Sequence, residues 1–145
     1  MTVNNTVDVF SSDEPGRIKR VEIKIVGGNI RINASQRSTV AVKAKGDVKT
    51  LGATATEHGH VLRIGSSSAL RYFLQRSRID LVLDVPNETE IDINVFGADI
   101  VIDGGTGPLS VKGRAGAIEG TTYSDDVKLK FMVGADDLVR KVKGA

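Results

Sequence analysis

The chain has 145 residues, a mass of 15.4 kDa, a formal net charge of +2 and no cysteine. That is enough for one domain with a real core, and it excludes disulfides, thiolate metal centres and a thiol nucleophile. Apolar residues make up 40% but aromatics only 4%, with no Trp, so the core must be aliphatic and stacking platforms are scarce.

Residues 1–16, MTVNNTVDVFSSDEPG, read as an N-terminal arm. They carry no basic region followed by an apolar stretch, and no apolar run approaches the ~20 residues a membrane helix needs. The expectation is a soluble, unanchored, cytoplasmic chain, with the cell surface or the extracellular space as the alternative.

Period-two alternation then dominates. In RVEIKIVGG, Val21, Ile23 and Ile25 point one way while Glu22 and Lys24 point the other. NIRIN repeats this around Arg31, and TVAVKAKG places Val40, Val42 and Ala44 inward with Lys43 and Lys45 outward. HVLRIG and RIDLVLDVP follow, the second with Ile79, Leu81, Leu83 and Val85 on one face and Asp80 and Asp84 on the other. Ile91/Ile93/Val95, Ile100/Ile102, Leu109/Val111, Ile118 and Val127/Leu129 continue the series. β-Branched residues at every second position suit a half-buried pleated surface. Glycine, Asn, Asp and Pro break the pattern at 27–28, 45–47, 57–60, 86–89, 104–108 and 123–126, which is turn chemistry. Helix is scarce. SSALRYFLQR, from Ser67 to Arg76, has Leu70, Phe73 and Leu74 on one helical face. ADDLVRKVKGA at the C-terminus has acids first and bases last, as a helix dipole favours, and fits a final strand equally well.

A repeat underlies the second half. Gly97-Ala98 returns as Gly116-Ala117 and Gly134-Ala135, while Ile91, Leu109 and Val127 stand 18 residues apart, as do Ile100 and Ile118. The unit is about nine residues, a short strand and a Gly corner, and so small a unit must stack on neighbours to bury its apolar face. The predicted fold is therefore all-β: one domain over 1–145, a β-solenoid or β-helix-like stack of short Gly-cornered strands. A segment at 66–77 is inserted, and 135–145 caps the end. The alternative is an antiparallel β-sandwich.

At this point the residues resemble a family. VEIKIVGGNIRI, HGHVLRIGS, IDLVLDVPNETEIDINVFGADIVIDG and the later Gly-rich repeats, over residues 18 to 134, are similar to the bacterial putative-adhesin family of β-strand-repeat proteins of unknown function. The resemblance implies a right-handed β-helix-like fold and a non-catalytic role, with no active site to carry over. A more distant likeness is to bactofilins, cytoskeletal β-helices that polymerise end to end.

Charge is uneven along the chain. Residues 1–78 hold 13 Lys+Arg and 6 Asp+Glu, a balance of +7, and residues 79–145 hold 7 and 12, a balance of −5. Such a split favours head-to-tail association or two partners on opposite faces, although solvated strand faces that drew different charges explain it more simply.

Few residues suggest chemistry. GADIVIDGGTG lacks the Lys-Ser/Thr and the helix start that a phosphate loop requires. His58 and His60 could place two rings on one side of a strand for Zn²⁺, but a hairpin tip is the better reading, because Gly59 breaks the strand. Asp80, Asp84, Asp92, Asp99 and Asp103 could align as a Ca²⁺ ladder or, with Asp92, Asp99 and Asp103, act on polysaccharide; alternation with core residues makes them a solvated face first. Arg71, Arg76 and Arg78 surround Tyr72 and Phe73, and Arg with aromatics can grip anionic surfaces or nucleic acid. These are the candidate binding residues, against a reading in which Phe73 and Leu74 plug one end of the stack. No cofactor is expected. The function expected is a non-catalytic module that binds a protein partner or self-associates through its edges. A carbohydrate-binding or carbohydrate-active protein, or a binder of anionic surfaces through Arg71–Arg78, is the alternative.

Overall fold

The computed structural model describes residues 6–12, 14–26, 28–46, 54–65, 79–113, 116–131 and 135–140. Those residues form strands and no helix. The first six are β1 (Thr6–Ser11), β2 (Arg20–Val26), β3 (Asn29–Ser35), β4 (Ala41–Gly46), β5 (Thr54–His58) and β6 (Val61–Gly65). The rest are β7 (Ile79–Pro86), β8 (Glu90–Phe96), β9 (Ala98–Asp103), β10 (Leu109–Gly113), β11 (Gly116–Thr122), β12 (Val127–Phe131) and β13 (Ala135–Arg140).

Two sheets result, one ordered β1-β4-β7-β3-β9-β11-β13 and the other β12-β10-β8-β2-β6-β5. From β6 onward, consecutive strands alternate between the sheets. Antiparallel pairing, the basis of the sandwich alternative, is confined to β1–β4, β4–β7 and β5–β6. Every other pairing is parallel, and the repeat sets its register. Ile91 pairs with Leu109 and Leu109 with Val127, while Ile100 pairs with Ile118 and Ile118 with Asp136. The 18-residue spacing is thus the return distance within one sheet, and nine residues carry the chain from one sheet to the other.

The Gly-Ala pairs follow this register only in part. Gly116 lies opposite Ala98, not Gly97, because Gly97 is spent in the one-residue corner between β8 and β9. Its φ of 72° is one that glycine adopts without strain.

In-register stacking converts the alternation into aliphatic ladders. On one sheet Leu62, Val21, Ile91 and Leu109 form a row, and Ile64, Ile23, Ile93 and Val111 form the next. On the other sheet Leu81, Ile30, Ile100 and Ile118 do the same. All of these residues are buried in one cluster that joins the sheets. No buried polar side-chain atom among the described residues lacks a hydrogen-bond partner, the buried Ser12, Thr89, Thr122 and Ser124 included.

Of the two readings open for the C-terminal segment, ADDLVR takes the strand, paired parallel with β11; in-register pairing offers its backbone a ladder that overrides a dipole-friendly charge order. One finding departs from the sequence reading. Thr6–Ser11, within the expected arm, is itself a strand antiparallel to β4. The proposed helix over Ser67–Arg76 and the 66–77 insertion lie outside the described residues.

The stack is also not in chain order. β2 and β3 are sandwiched between later strands, β2 between β6 and β8 and β3 between β7 and β9. The Pro86-Asn87-Glu88 turn must therefore carry the chain past that earlier layer.

Two substitutions test this packing. Gly120 has φ of 116°, and a Cβ there would overlap the Ile102 carbonyl. Gly120→Ala is expected to destabilise the protein by about 2 kcal/mol or more in urea denaturation. Ile93, fully buried in a central row, should lose about 2–5 kcal/mol as Ile93→Ala.

Candidate functional site

Because strands in each sheet are in register, outward residues also form rows, and the outer faces differ in charge. On the seven-stranded sheet, Asp80, Asn29 and Asp99 make one row and Asp84, Asn33 and Asp103 another. Between them stands Arg31, flanked by Val82 and Val101. Asn29 Nδ2 donates to Asp80 Oδ1 at 2.8 Å, and Asn33 Nδ2 to Asp84 Oδ1 at 3.4 Å. Arg31 donates to Asn33 Oδ1 at 3.1 Å and lies 3.8 Å from Asp103. With Glu119 beside Val101, the face over β7, β3, β9 and β11 is strongly acidic.

The six-stranded sheet is the reverse. Its four acids are engaged with arginines: Arg20 pairs with Glu90, with Asp92 at 2.7 Å and with Glu22 at 3.6 Å, Arg63 reaches Glu22 at 3.2 Å, and Arg17 holds Glu57 on β5. Lys24, Lys112, Lys128 and Lys130 remain, all exposed, and none makes an ion pair among the described residues. Register puts Lys24, Asn94, Lys112 and Lys130 in one row across β2, β8, β10 and β12. A groove of about 480 Å³ runs over the Lys24–Asn94–Lys112 part of this row, floored by Ile23 and Ile64 and lined also by Arg63, and Lys130 continues the row beyond it. Glu22 and Asp92 line the groove too, each held by an arginine. The charge split between the two halves of the sequence does not map onto the faces, because each sheet takes strands from both halves and the basic Lys43 and Lys45 of β4 border the aspartate rows.

The residues singled out from sequence are scattered. Arg71, Tyr72, Arg76 and Arg78 lie outside the described residues. His58 and His60 belong to the β5–β6 hairpin, whose two-residue turn is Gly59-His60, with Gly59 at φ of 60°. His58 is exposed at the rim of the lysine groove. His60 Nδ1 instead lies 2.9 Å from the Arg17 carbonyl oxygen, and no group of three potential metal ligands gathers among the described residues. Nearby, Arg17 holds Glu57 through two hydrogen bonds of 2.5 and 2.8 Å. The hydrogen bond first, and the Glu57 charge second, raise the Arg17 guanidinium pKa. That group is protonated at neutral pH in any case, so no pH response arises there.

The acids do not converge. Asp92 is on the outer face of the six-stranded sheet, and Asp99 and Asp103 are on the opposite face of the molecule, which overturns a shared polysaccharide-cleaving site. Asp99 and Asp103 are four residues apart on one strand, roughly 13 Å, beyond the carboxylate separations glycosidases use. Asn29 and Asn33 likewise hold the aspartates of each row two strand spacings apart, about 10 Å, too far to share a Ca²⁺ ion. The lysine row was missed because its members are distant in sequence; only the 18-residue register, applied to outward positions, reveals Lys112 beside Lys130.

Arg20 pairs with three acids at once and is the sole partner of Glu90 and Asp92 among the described residues, so Arg20→Gln should destabilise the chain by about 1 kcal/mol in low salt. The loss should shrink in high salt, as thermal melts at the two ionic strengths would show.

No helix among the described residues is long and apolar enough to cross a membrane. No protein-family model matches the chain, and no curated protein matches it. Among solved structures, the chain is similar to a putative cell adhesion protein from Clostridium sporogenes ATCC 15579. The TM-score is 0.54 at 13% identity, with 96% of this chain and 99% of that one covered. Weaker likenesses, both at TM-score 0.37, are to a putative adhesin from Bacteroides fragilis NCTC 9343 and a putative lipid binding protein from Parabacteroides distasonis ATCC 8503. The first is 10% identical, covering 93% of this chain and 97% of that one, and the second 14%, covering 96% and 69%. The Clostridium sporogenes likeness shows that this all-β arrangement spans nearly the full length of both chains.

Proposed function

We propose that the chain is a non-catalytic interaction module, a β-solenoid that binds a protein partner or a second copy of itself through the strands at the end of its stack. The observation that carries this reading is the state of the last layer. β12 and β13 are the edges of their sheets at the same end, so both offer backbone N–H and C=O groups to an added strand. The core thins toward that end. The inward row Ala98–Ile100–Ile102 of β9 is followed on β11 by Gly116–Ile118–Gly120. On β12, Val127 and Leu129 are only partly buried.

The two edges are not equivalent. β13 carries two successive acids, Asp136 and Asp137, and charge on an edge strand discourages further pairing. β12, with Val127 and Leu129 in the apolar rows of its sheet, is the open edge. The non-catalytic part of the reading draws on the dispersal of the acids over opposite faces and on the resemblance to adhesin-type β-repeat proteins. The cell-adhesion name of the Clostridium sporogenes protein is in keeping with it.

Light scattering after size exclusion, across protein concentration and at low and high salt, tests the self-association arm. The wild type is expected to exceed 15.4 kDa as concentration rises, and Leu129→Asp to remain at 15.4 kDa with an unchanged far-ultraviolet spectrum. A wild type that stays monomeric at high concentration in both salts would rule out association through β12.

A further inference from the structure

We propose that the Lys24–Asn94–Lys112 groove on the six-stranded sheet, with Lys130 continuing its row, binds a linear acidic polysaccharide. The inference is independent of the open edge at β12 and uses a different surface.

The first argument is electrostatic. Lys112 and Lys130 are directly paired neighbours on adjacent parallel strands, about 4.8 Å apart at the backbone. Like charges in that position destabilise a sheet, and no acid among the described residues offsets them. Lys24 stands two strands away, about 10 Å, with Asn94 between, and Lys128 occupies the next row on β12. All four ammonium groups therefore act on one another within about a Debye length or two at physiological salt. Carboxylate or sulfate groups laid along the row would relieve that repulsion. The Asn94 carboxamide, which can both donate and accept, suits the hydroxyl groups between successive charges.

Shape gives the second argument. The site is a groove running across the strands, and beside Lys24 the row passes through Gly65, which has no side chain to fill it. A recess along a line of cations fits an extended chain better than a flat lipid surface. One aromatic is exposed on this face among the described residues: Phe96, 37% exposed, two residues beyond Asn94 on β8. Single-stranded nucleic acid calls for several stacking rings in succession, more than this face offers among the described residues.

The third argument is the back of the molecule. The aspartate rows around Arg31 make the part of the opposite face over β7, β3 and β9 repel the same ligand, with Lys43 and Lys45 of β4 only at its border. Asp80, Asp84 and Asp103 are engaged with Asn29, Asn33 and Arg31, while the lysines of the groove are not.

The test is calorimetric titration of the full chain with polygalacturonate and with heparin. Neutral dextran, oligo-dT and phosphatidylglycerol-containing vesicles are the comparison ligands. Binding to both acidic polysaccharides is expected, and none to dextran. Lys24→Gln/Lys112→Gln/Lys130→Gln should weaken binding at least about tenfold and lower the slope of log K against log salt by about three. Lys19→Gln/Lys43→Gln/Lys45→Gln, which removes the same charge elsewhere, should bind as the wild type does, and so should Leu129→Asp. Equal loss in both triple variants would overturn the groove in favour of bulk charge. Tighter binding to oligo-dT or to vesicles would overturn the ligand class. Association of the chain alone that disappears in the Lys24/Lys112/Lys130 variant would assign the row to the acidic face of a second copy instead.

Discussion

Everything in this chain rests on parallel pairing held at a constant offset. When Ile91, Leu109 and Val127 stack at 18-residue intervals, each apolar residue meets another of its kind above and below. Every charged residue meets whatever occupies the same outward position. A slip of one residue would turn the aliphatic rows to solvent and the lysines to the core. The buried rows therefore fix the register, and the register in turn assembles the outer faces, although surface residues contribute little to stability themselves.

This explains how unequally the sequence revealed the molecule. The alternation in RVEIKIV, NIRIN and RIDLVLDVP identified the buried positions correctly, because burial imposes a strict period of two. Val21, Ile23, Ile30, Ile32, Leu81 and Leu83 are all buried. The 18-residue repeat was equally legible, since stacked β-branched residues leave a periodic trace. The end segments were harder. TVDVFS is too short to separate from a polar arm, and ADDLVR, with acids at two successive positions, lacks the alternation that marks its neighbours. Its strand conformation comes from β11 beside it, which no local pattern records.

The surface was the least legible part. Asp92, Asp99 and Asp103 look alike along the chain, yet the nine-residue step from sheet to sheet sends Asp92 to one face and the other two to the opposite face. Lys24 and Lys112, 88 residues apart in the chain, end in one row because β2 lies against β8. No periodicity predicts that contact, since it depends on where an early pair of strands is inserted into a later stack.

That insertion constrains how such a protein can change length. β2 and β3 are held between β6 and β8 and between β7 and β9, so the middle of the stack is closed by strands far apart in the chain. None of its layers can be removed without leaving two others unmatched. Beyond β9, stacking follows chain order, and each added strand pair touches only the one before it. Gain or loss of one 18-residue unit there would leave the remaining register intact, and each unit gained would lengthen both outer faces by one strand. Descendants of this fold are therefore free to grow at one end only, where the ladders of surface charge lengthen with every unit.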